Sequence, residues 1–539
     1  MFPSFKNFAL RVLLPSTLLL ILVNLLVSER LENDPQKRIQ AAVASGNYAA
    51  AKAEYRKLIE NDFFKVEYHR GYIRSHLGQP GRLRSARRKD NEEMIAEYRR
   101  YASSNNPDVS DIGHYGLGYF YSVRNEYDRA LENFEKVRNR KLPYLNGSLG
   151  SLYRRMDQFD LAKQHLYREI ELKGNISGAI TNLAELFYVA KQYDELDALT
   201  FIVGIKNLIP PTIRRFLALR QGRYGDYVWE ALAFRQTSAY GLIGALLILG
   251  AWFVYLRQID VFEPEPVRYA VVTLLGGMIF SCLSVPLYDV YEFVLRFRTN
   301  GTFANDLLFY IFAVGLIEET LKVLPVLLVM RFTRAINESV DYVIYGSLSA
   351  LGFAFMENLL PFYEWRPGAI STRAFSAVIL HMTLTAIVMY GIFYSRYRAK
   401  KNPVLYFLLA FGTACALHGL YDFLLLKGWF LLGLLLLVYC IREYGVAINC
   451  SLNLSEYNSD HANRVVDLTR YLCYSLAAIV MLQYVIIAIN YGPKSANFNF
   501  LKILLSSYLL LCVILASLRT FEIHSGEWLP LLRKRLTSS

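Results

Sequence analysis

The chain reads as all-α: a polytopic helical membrane bundle of about nine to ten spans at roughly 20 residues each, preceded by a soluble unit of helical repeats. Three observations carry that reading. Hydrophobic residues fill 54% of 539 positions and mean hydropathy is positive, so the chain is too long for one domain and too apolar to be wholly soluble. The apolar residues are segregated into a short N-terminal stretch and most of the chain after Ala239. The charged stretch between them is internally repetitive, with a period near 34 residues. The expected organisation is an anchor at 1–30, a repeat unit at 31–236, a membrane core at 237–442, and further spans with a basic tail at 443–539.

At the N-terminus, Lys6 and Arg11 precede the apolar run Val12 to Val27. Ser28, Glu29 and Arg30 follow with no A-x-A-like cleavage site, so an uncleaved anchor is expected. In the charged stretch three segments align: Leu117-Gly118-Tyr119 to Tyr127-Asp128, Leu149-Gly150-Ser151 to Phe159-Asp160, and Leu183-Ala184-Glu185 to Tyr193-Asp194. Ala130 and Ala162 follow in the first two, and Gly46 to Ala50 looks like an earlier copy. Small residues at fixed places let paired helices approach, and the aromatics fill the space between pairs. The pattern resembles a tetratricopeptide array, except between Phe63 and Pro107, which does not fit the period. The resemblance implies a surface for protein or peptide partners.

Apolar runs at 239–256, 268–291, 306–330, 341–363, 374–395, 403–426, 429–441, 468–490 and 501–518 predict spans, the run at 429–441 being short enough to be re-entrant. A net charge of +13 and a pI near 9.2 fit a membrane protein with basic cytoplasmic loops, and no nucleic-acid partner is expected. The run Arg82, Arg84, Arg87, Arg88, Lys89 reads as a solvated loop. Six cysteines are too scattered for a disulfide framework, and Cys282, Cys415, Cys473 and Cys512 read as small hydrophobes. Placing Lys6 and Arg11 in the cytoplasm puts Arg257, Arg331, Arg334, the cluster Arg396 to Lys401 and the tail Arg533, Lys534, Arg535 on the same side. Arg296 and Arg298 are the exception. The positive-inside rule then predicts both termini inside, the repeats outside, and the sequon-like Asn449-Cys450-Ser451 in a cytoplasmic loop.

An ionisable residue in a span costs about 2.5–3.5 kcal/mol on insertion scales, so each needs a reason. Glu318 and Glu319 lie in the middle of 306–330, with Lys322 one turn on and able to pair with either. The next span brings Glu357 and Asn358, and the following two bring His381 with Thr385 and His418 with Asp422. Helical rise places these groups at overlapping depths in the outer half of the bilayer. Singly they fit structural ion pairs or a transport path. Together they supply carboxylates to polarise a water, imidazoles to move protons or bind metal, and an amide for an oxyanion. There is no HExxH, GxSxG or GxGD motif.

The ordered set EExxK (Glu318, Glu319, Lys322), FxxxE (Phe353, Glu357, then Asn358) and two later histidines resembles the PrsW intramembrane proteases, distant relatives of the CAAX-prenyl proteases. It covers about residues 240–440, with Glu357 where the CAAX-prenyl relatives have His. The resemblance implies regulated proteolysis of membrane-anchored proteins such as anti-sigma factors, in a prokaryotic inner membrane. The expected mechanism has Glu318, supported by Glu319, activating a water, and Lys322 holding the carboxylates in register. His381 would position the water or protonate the leaving amine, and Asn358 or His418 would stabilise the oxyanion. No cofactor is favoured. The alternative is zinc on Glu318, Glu357, His381 and His418, but three carboxylates against two histidines is not a typical zinc set. Competing functions are a transporter or proton-coupled channel, for which the spans lack internal pseudo-symmetry, and a catalytically silent repeat receptor.

Overall fold

The computed structural model describes residues 9–27, 34–78, 84–201, 204–233, 238–363, 368–458 and 464–528. Lys6, Ser28 to Arg30, Arg82 and the tail Arg533 to Arg535 lie outside them, as do the side chains of Arg84, Arg87, Arg88 and Lys89. The chain divides into two compact units, Arg30–Ala231 and Met1–Glu29 with Leu232–Ser539.

In Arg30–Ala231, consecutive helices pack as pairs, among them Pro107–Val123 with Tyr127–Glu135 and Leu145–Arg155 with Phe159–Glu171. Gly118 and Gly150 sit where the paired helices meet: a Cβ would fall 2.5 Å from the Phe134 ring and 2.6 Å from Leu166. The turns repeat as well. Asn125, Asp157 and Lys191 each adopt the left-handed conformation (φ 62°, 58° and 59°). In each case the next residue's N–H reaches back to the carbonyl five residues earlier: Glu126 to Tyr121, Gln158 to Tyr153 and Gln192 to Phe187. This closes the preceding helix in the same way three times.

The other unit is a bundle. Its helices are α1 (Leu14–Leu26), α2 (Ala239–Ile259), α3 (Val267–Ser281), α4 (Ser284–Asp289), α5 (Phe303–Phe309), α6 (Leu316–Phe332), α7 (Ser339–Tyr363), α8 (Ala369–Phe375), α9 (Ala377–Tyr394), α10 (Pro403–Leu426), α11 (Phe430–Asn453), α12 (Thr469–Tyr491) and α13 (Pro493–Leu518). Among the described residues, 8 helices are long and apolar enough to cross a membrane. The expected ten included α1, which is shorter and packs on α12 through Val23, Tyr484 and Ile487. They also included 306–330, which is helical throughout but carries Glu318, Glu319 and Lys322.

Two expectations are corrected. The run at 429–441 belongs to a full 24-residue helix, α11, because Arg442 and Glu443 interrupt the hydropathy but not the helix: Glu443 is buried with Arg442 at 3.3 Å. Asn449-Cys450-Ser451 accordingly lies inside α11, not in a loop. Among the described residues the largely helical chain also contains one small antiparallel pair, β1 (Arg464–Asp467) with β2 (Thr520–Ile523).

α7 and α9 form the interior of the bundle, with most of their side chains buried. α3 crosses α7 at two glycines. A Cβ on Gly277 would lie 2.0 Å from the Ser349 carbonyl oxygen, and one on Gly352 would lie 2.0 Å from that of Leu274. Gly277→Ala is therefore expected to cost about 1–3 kcal/mol through overpacking, seen as a lower midpoint of thermal unfolding in detergent. Gly412→Ala, with nothing within 4 Å of its Cβ, is the neutral control; equal midpoints for the two variants would contradict this crossing.

Candidate active site

The site forms where α6, α7, α9 and α10 meet. A π-helical run, Tyr310–Gly315, joins α5 to α6 immediately before the paired glutamates, a form of helix found frequently at functional sites. There α10 comes in at backbone contact. A Cβ on Gly419 would lie 2.5 Å from Ile311 Cα, and one on Gly315 would lie 2.4 Å from the Cys415 carbonyl oxygen. Only glycine at both places lets His418 reach the glutamates. Ser349 on α7 donates to the Lys322 carbonyl at 2.6 Å and fixes α7 against α6.

Lys322 is the centre. Its Nζ, with no exposed surface, lies 3.0 Å from Glu319 Oε1, 3.1 Å from Glu318 Oε2 and 2.6 Å from His381 Nδ1, and 4.7 Å from the centroid of the Phe353 ring. An ammonium has three protons and no lone pair, so all three are used and His381 Nδ1 is the acceptor. The proton of His381 is then on Nε2, which donates to Glu357 Oε2 at 2.8 Å. Arg373 Nη2 is 3.1 Å from the same oxygen, and Arg373 Nε donates to Asn358 Oδ1.

The two adjacent glutamates have different surroundings. Glu319 is saturated, since Oε1 accepts from Lys322 and from His418 Nδ1 (2.8 Å) and Oε2 accepts from Thr385 (3.0 Å). Glu318 is held more loosely. Tyr288 on α4 donates to Oε1 at 2.6 Å, and beyond Lys322 the other oxygen faces His418 Nε2 at 3.5 Å and His381 Nδ1 at 4.0 Å. Exposure grades across the cluster: side chains are 0% exposed at Glu319 and Lys322, 8% at Glu318, 30% at Asp422 and 38% at Glu357. Glu318 thus lies between a closed anchor and an accessible rim.

All seven expected site residues, Glu318, Glu319, Lys322, Glu357, Asn358, His381 and His418, fall in this one network. Asn358 differs from expectation in that its oxygen is committed to Arg373. Tyr288 and Arg373 were not anticipated. Tyr288 is one of 39 tyrosines, and Arg373 falls just outside the expected span at 374–395, where an arginine is unremarkable.

Glu318, His381 and His418 can each turn one ligand atom to a common point, all within 4.8 Å of one another. Two imidazoles and a carboxylate match a catalytic zinc set in kind, and each imidazole has its other nitrogen on a carboxylate, as metal-bound histidines usually do. Glu357, expected among the ligands, stands outside this group as the partner of His381 Nε2. In this arrangement the Lys322 ammonium holds the lone pair of His381 Nδ1 and one oxygen of Glu318, so an ion would enter only by displacing it. Away from this site, burial pushes the Asp260 carboxyl up to about 6 and those of Glu265 and Glu338 up to about 7, the response of carboxylates with too few cations beside them.

Residues 265–443 match the family described as PrsW family intramembrane metalloprotease. The chain is 26% identical over 230 residues to Protease PrsW of Clostridioides difficile (strain 630), covering 42% of this chain and 93% of that protein. It is 27% identical over 179 residues to Protease PrsW of Bacillus subtilis (strain 168), covering 33% and 78%. Against Protease PrsW of Geobacillus kaustophilus (strain HTA426) the figures are 27% over 174 residues, 32% and 73%. No solved structure matches the chain.

Lys322→Met would leave buried carboxylates without their cation, and breaking a buried pair in this way costs about 3–5 kcal/mol. Thermal unfolding in detergent is expected to register that loss, with Lys322→Arg recovering part of it. An unchanged unfolding midpoint for Lys322→Met would contradict the central place of the ammonium.

Proposed function

We propose that residues 265–443 carry an intramembrane protease of the PrsW kind, a hydrolase in which Glu318 activates the water that attacks the peptide bond. The observation that carries this is the asymmetry of the adjacent glutamates: Glu319 is fully buried and accepts three hydrogen bonds, whereas Glu318 accepts two, keeps some exposure and turns Oε2 towards two imidazoles. Glu318 takes a proton from the water as its oxygen bonds to the scissile carbonyl carbon. Lys322 and Tyr288 hold the carboxylate in place. His418, fixed through an Nδ1–H donated to Glu319, turns Nε2 into the same space and, as the doubly protonated imidazolium, is placed to donate to the oxyanion. Glu318 returns that proton to the leaving amine as the carbon–nitrogen bond breaks, while His381, held between Lys322 and Glu357, helps to position the water, and Glu357 with Arg373 orients the imidazole. Asn358 is held by Arg373 through Oδ1, which leaves its amide NH2 as the group that donates to an oxyanion.

A second reading follows from the convergence of Glu318, His381 and His418. With Lys322 withdrawn, these three would hold a zinc ion, which supplies a Lewis acid and an acidified water. No step above depends on it.

The substrates proposed are membrane-anchored proteins, anti-sigma factors among them, in a prokaryotic inner membrane. Loop charge favours both termini in the cytoplasm and the repeat unit outside. A tetratricopeptide-like role in recruiting peptide segments is supported by the recurring turns and by a cavity of about 220 Å³ in that unit, bordered by Arg70, Arg74, Tyr119, Ser148 and Asn182.

The test is cleavage of a membrane-anchored substrate by the protein reconstituted in detergent. Glu318→Gln and His381→Ala are each expected to lose at least about 100-fold in rate, the scale of general acid–base catalysis, and Glu319→Gln to lose activity with its anchor. Activity surviving all three substitutions would overturn the assignment. Cleavage is expected to persist after zinc chelation, and abolition by chelator with rescue by zinc would establish the second reading instead. Deleting residues 34–230 is expected to change substrate choice more than turnover of a minimal peptide; loss of all peptide turnover would contradict the recruiting role.

A further inference from the structure

A second group of carboxylates lies at the other end of α7. Asp260 caps the C-terminus of α2, Glu265 stands just before α3, Glu338 just before α7, and Asp341 in the first turn of α7. Asp341 and Glu357 are sixteen residues apart on one helix, about 24 Å at 1.5 Å per residue, so this group is separate from the candidate active site.

Each of the four is buried, with Glu338 and Asp341 showing no exposed surface. Each also divides its oxygens in the same way. Asp260 Oδ2 accepts from the Glu265 N–H (2.6 Å) and from Arg257 (3.1 Å), and Asp341 Oδ2 accepts from the N–H groups of Asn337 (2.8 Å) and Glu338 (2.7 Å). Glu265 Oε2 accepts from the Tyr345 hydroxyl and Glu338 Oε2 from the Ser455 hydroxyl. The second oxygen of every one, Asp260 Oδ1, Glu265 Oε1, Glu338 Oε1 and Asp341 Oδ1, is buried with no donor.

Protein donors therefore fix the orientation of four carboxylates and leave one oxygen of each unsatisfied. A buried, unpaired carboxylate oxygen is expensive, and the guanidinium of Arg257 engages the satisfied oxygen of Asp260, not the unsatisfied one. Ligand oxygens of Asp260, Glu338 and Asp341 lie within 4.8 Å of one another. Calcium binds several carboxylates directly in a flexible all-oxygen shell, whereas magnesium keeps most of its waters, so a buried set of carboxylates suits calcium.

We propose that Asp260, Glu338 and Asp341, with Glu265 beside them, form a calcium site that ties the end of α2 and the segments before α3 and α7 to the first turn of α7. All ligands are hard oxygens, unlike the imidazole-containing group near Lys322. Calcium here holds the helix that carries Glu357 from its far end, and its role is structural.

The test is equilibrium dialysis of the purified full chain with radioactive calcium at pH 7.5, alongside thermal unfolding with calcium or with a calcium chelator. One calcium per chain is expected, retained in Glu318→Gln and weakened at least tenfold in Glu338→Gln and in Asp341→Asn. Calcium is expected to raise the unfolding midpoint of the wild type and not that of Glu338→Gln. In chelator, Glu338→Gln should equal or exceed the wild type, because it removes an uncompensated charge. Absence of saturable calcium binding by the wild type overturns the site, as would happen if the carboxyls simply share protons. So does binding unchanged by either substitution, or tighter binding of magnesium than of calcium. The wild-type dialysis decides the matter even where a variant fails to fold. Loss of protease activity in Glu318→Gln has no bearing on it.

Discussion

The bundle depends on one ammonium group. Lys322 is fully buried and bonds to Glu318, Glu319 and His381, which belong to two different helices and are joined through Glu319 to His418 on a third. Without that cation the carboxylates would sit in an apolar bundle with no compensation, and their cost would be several kcal/mol. With it, the charges become a fixed frame. Its geometry sets the tautomer of His381, separates the tasks of two adjacent glutamates, and leaves Glu318 the carboxylate that faces both imidazoles.

Such a frame requires close helix approach. Pairs of glycines provide it where α3 crosses α7 and where α10 meets the π-helical turn before α6. Buried polar groups in a membrane segment are functional candidates because packing alone would never select them. Here the small residues that let backbones touch and the charged residues they bring together serve the same site. At the opposite end of α7, carboxylates gather with, among the described residues, only Arg257 bonded to one of them. One bundle thus shows both ways of handling buried acid: neutralisation by a lysine built into the chain, and an arrangement open to an ion from outside.

Much of the site was legible in the sequence because charge stands out against an apolar run. Glu318, Glu319, Lys322, Glu357, His381 and His418 could be picked out that way, and their order gave the family resemblance. Residues at span edges could not be. Arg373, Asp260, Glu265 and Glu338 sit where charged residues are ordinary, and only the fold shows that they are buried or paired. Tyr288 carries no signal, since its role comes from a hydroxyl meeting Glu318 across helices. Hydropathy misplaced the end of α11 because Arg442 and Glu443 look like a boundary while the helix continues past them. The β1–β2 pair joins segments more than fifty residues apart, a contact that local periodicity does not encode.

Capture of substrate by Glu318→Gln tests the central claim most directly, because it separates chemistry from folding and binding. A membrane-anchored substrate bearing a photo-crosslinking group would be mixed with the wild type and with Glu318→Gln in detergent, then illuminated. The account predicts that Glu318→Gln retains the uncleaved substrate in crosslinked form while the wild type releases product. Release of product by Glu318→Gln at the wild-type rate would contradict it.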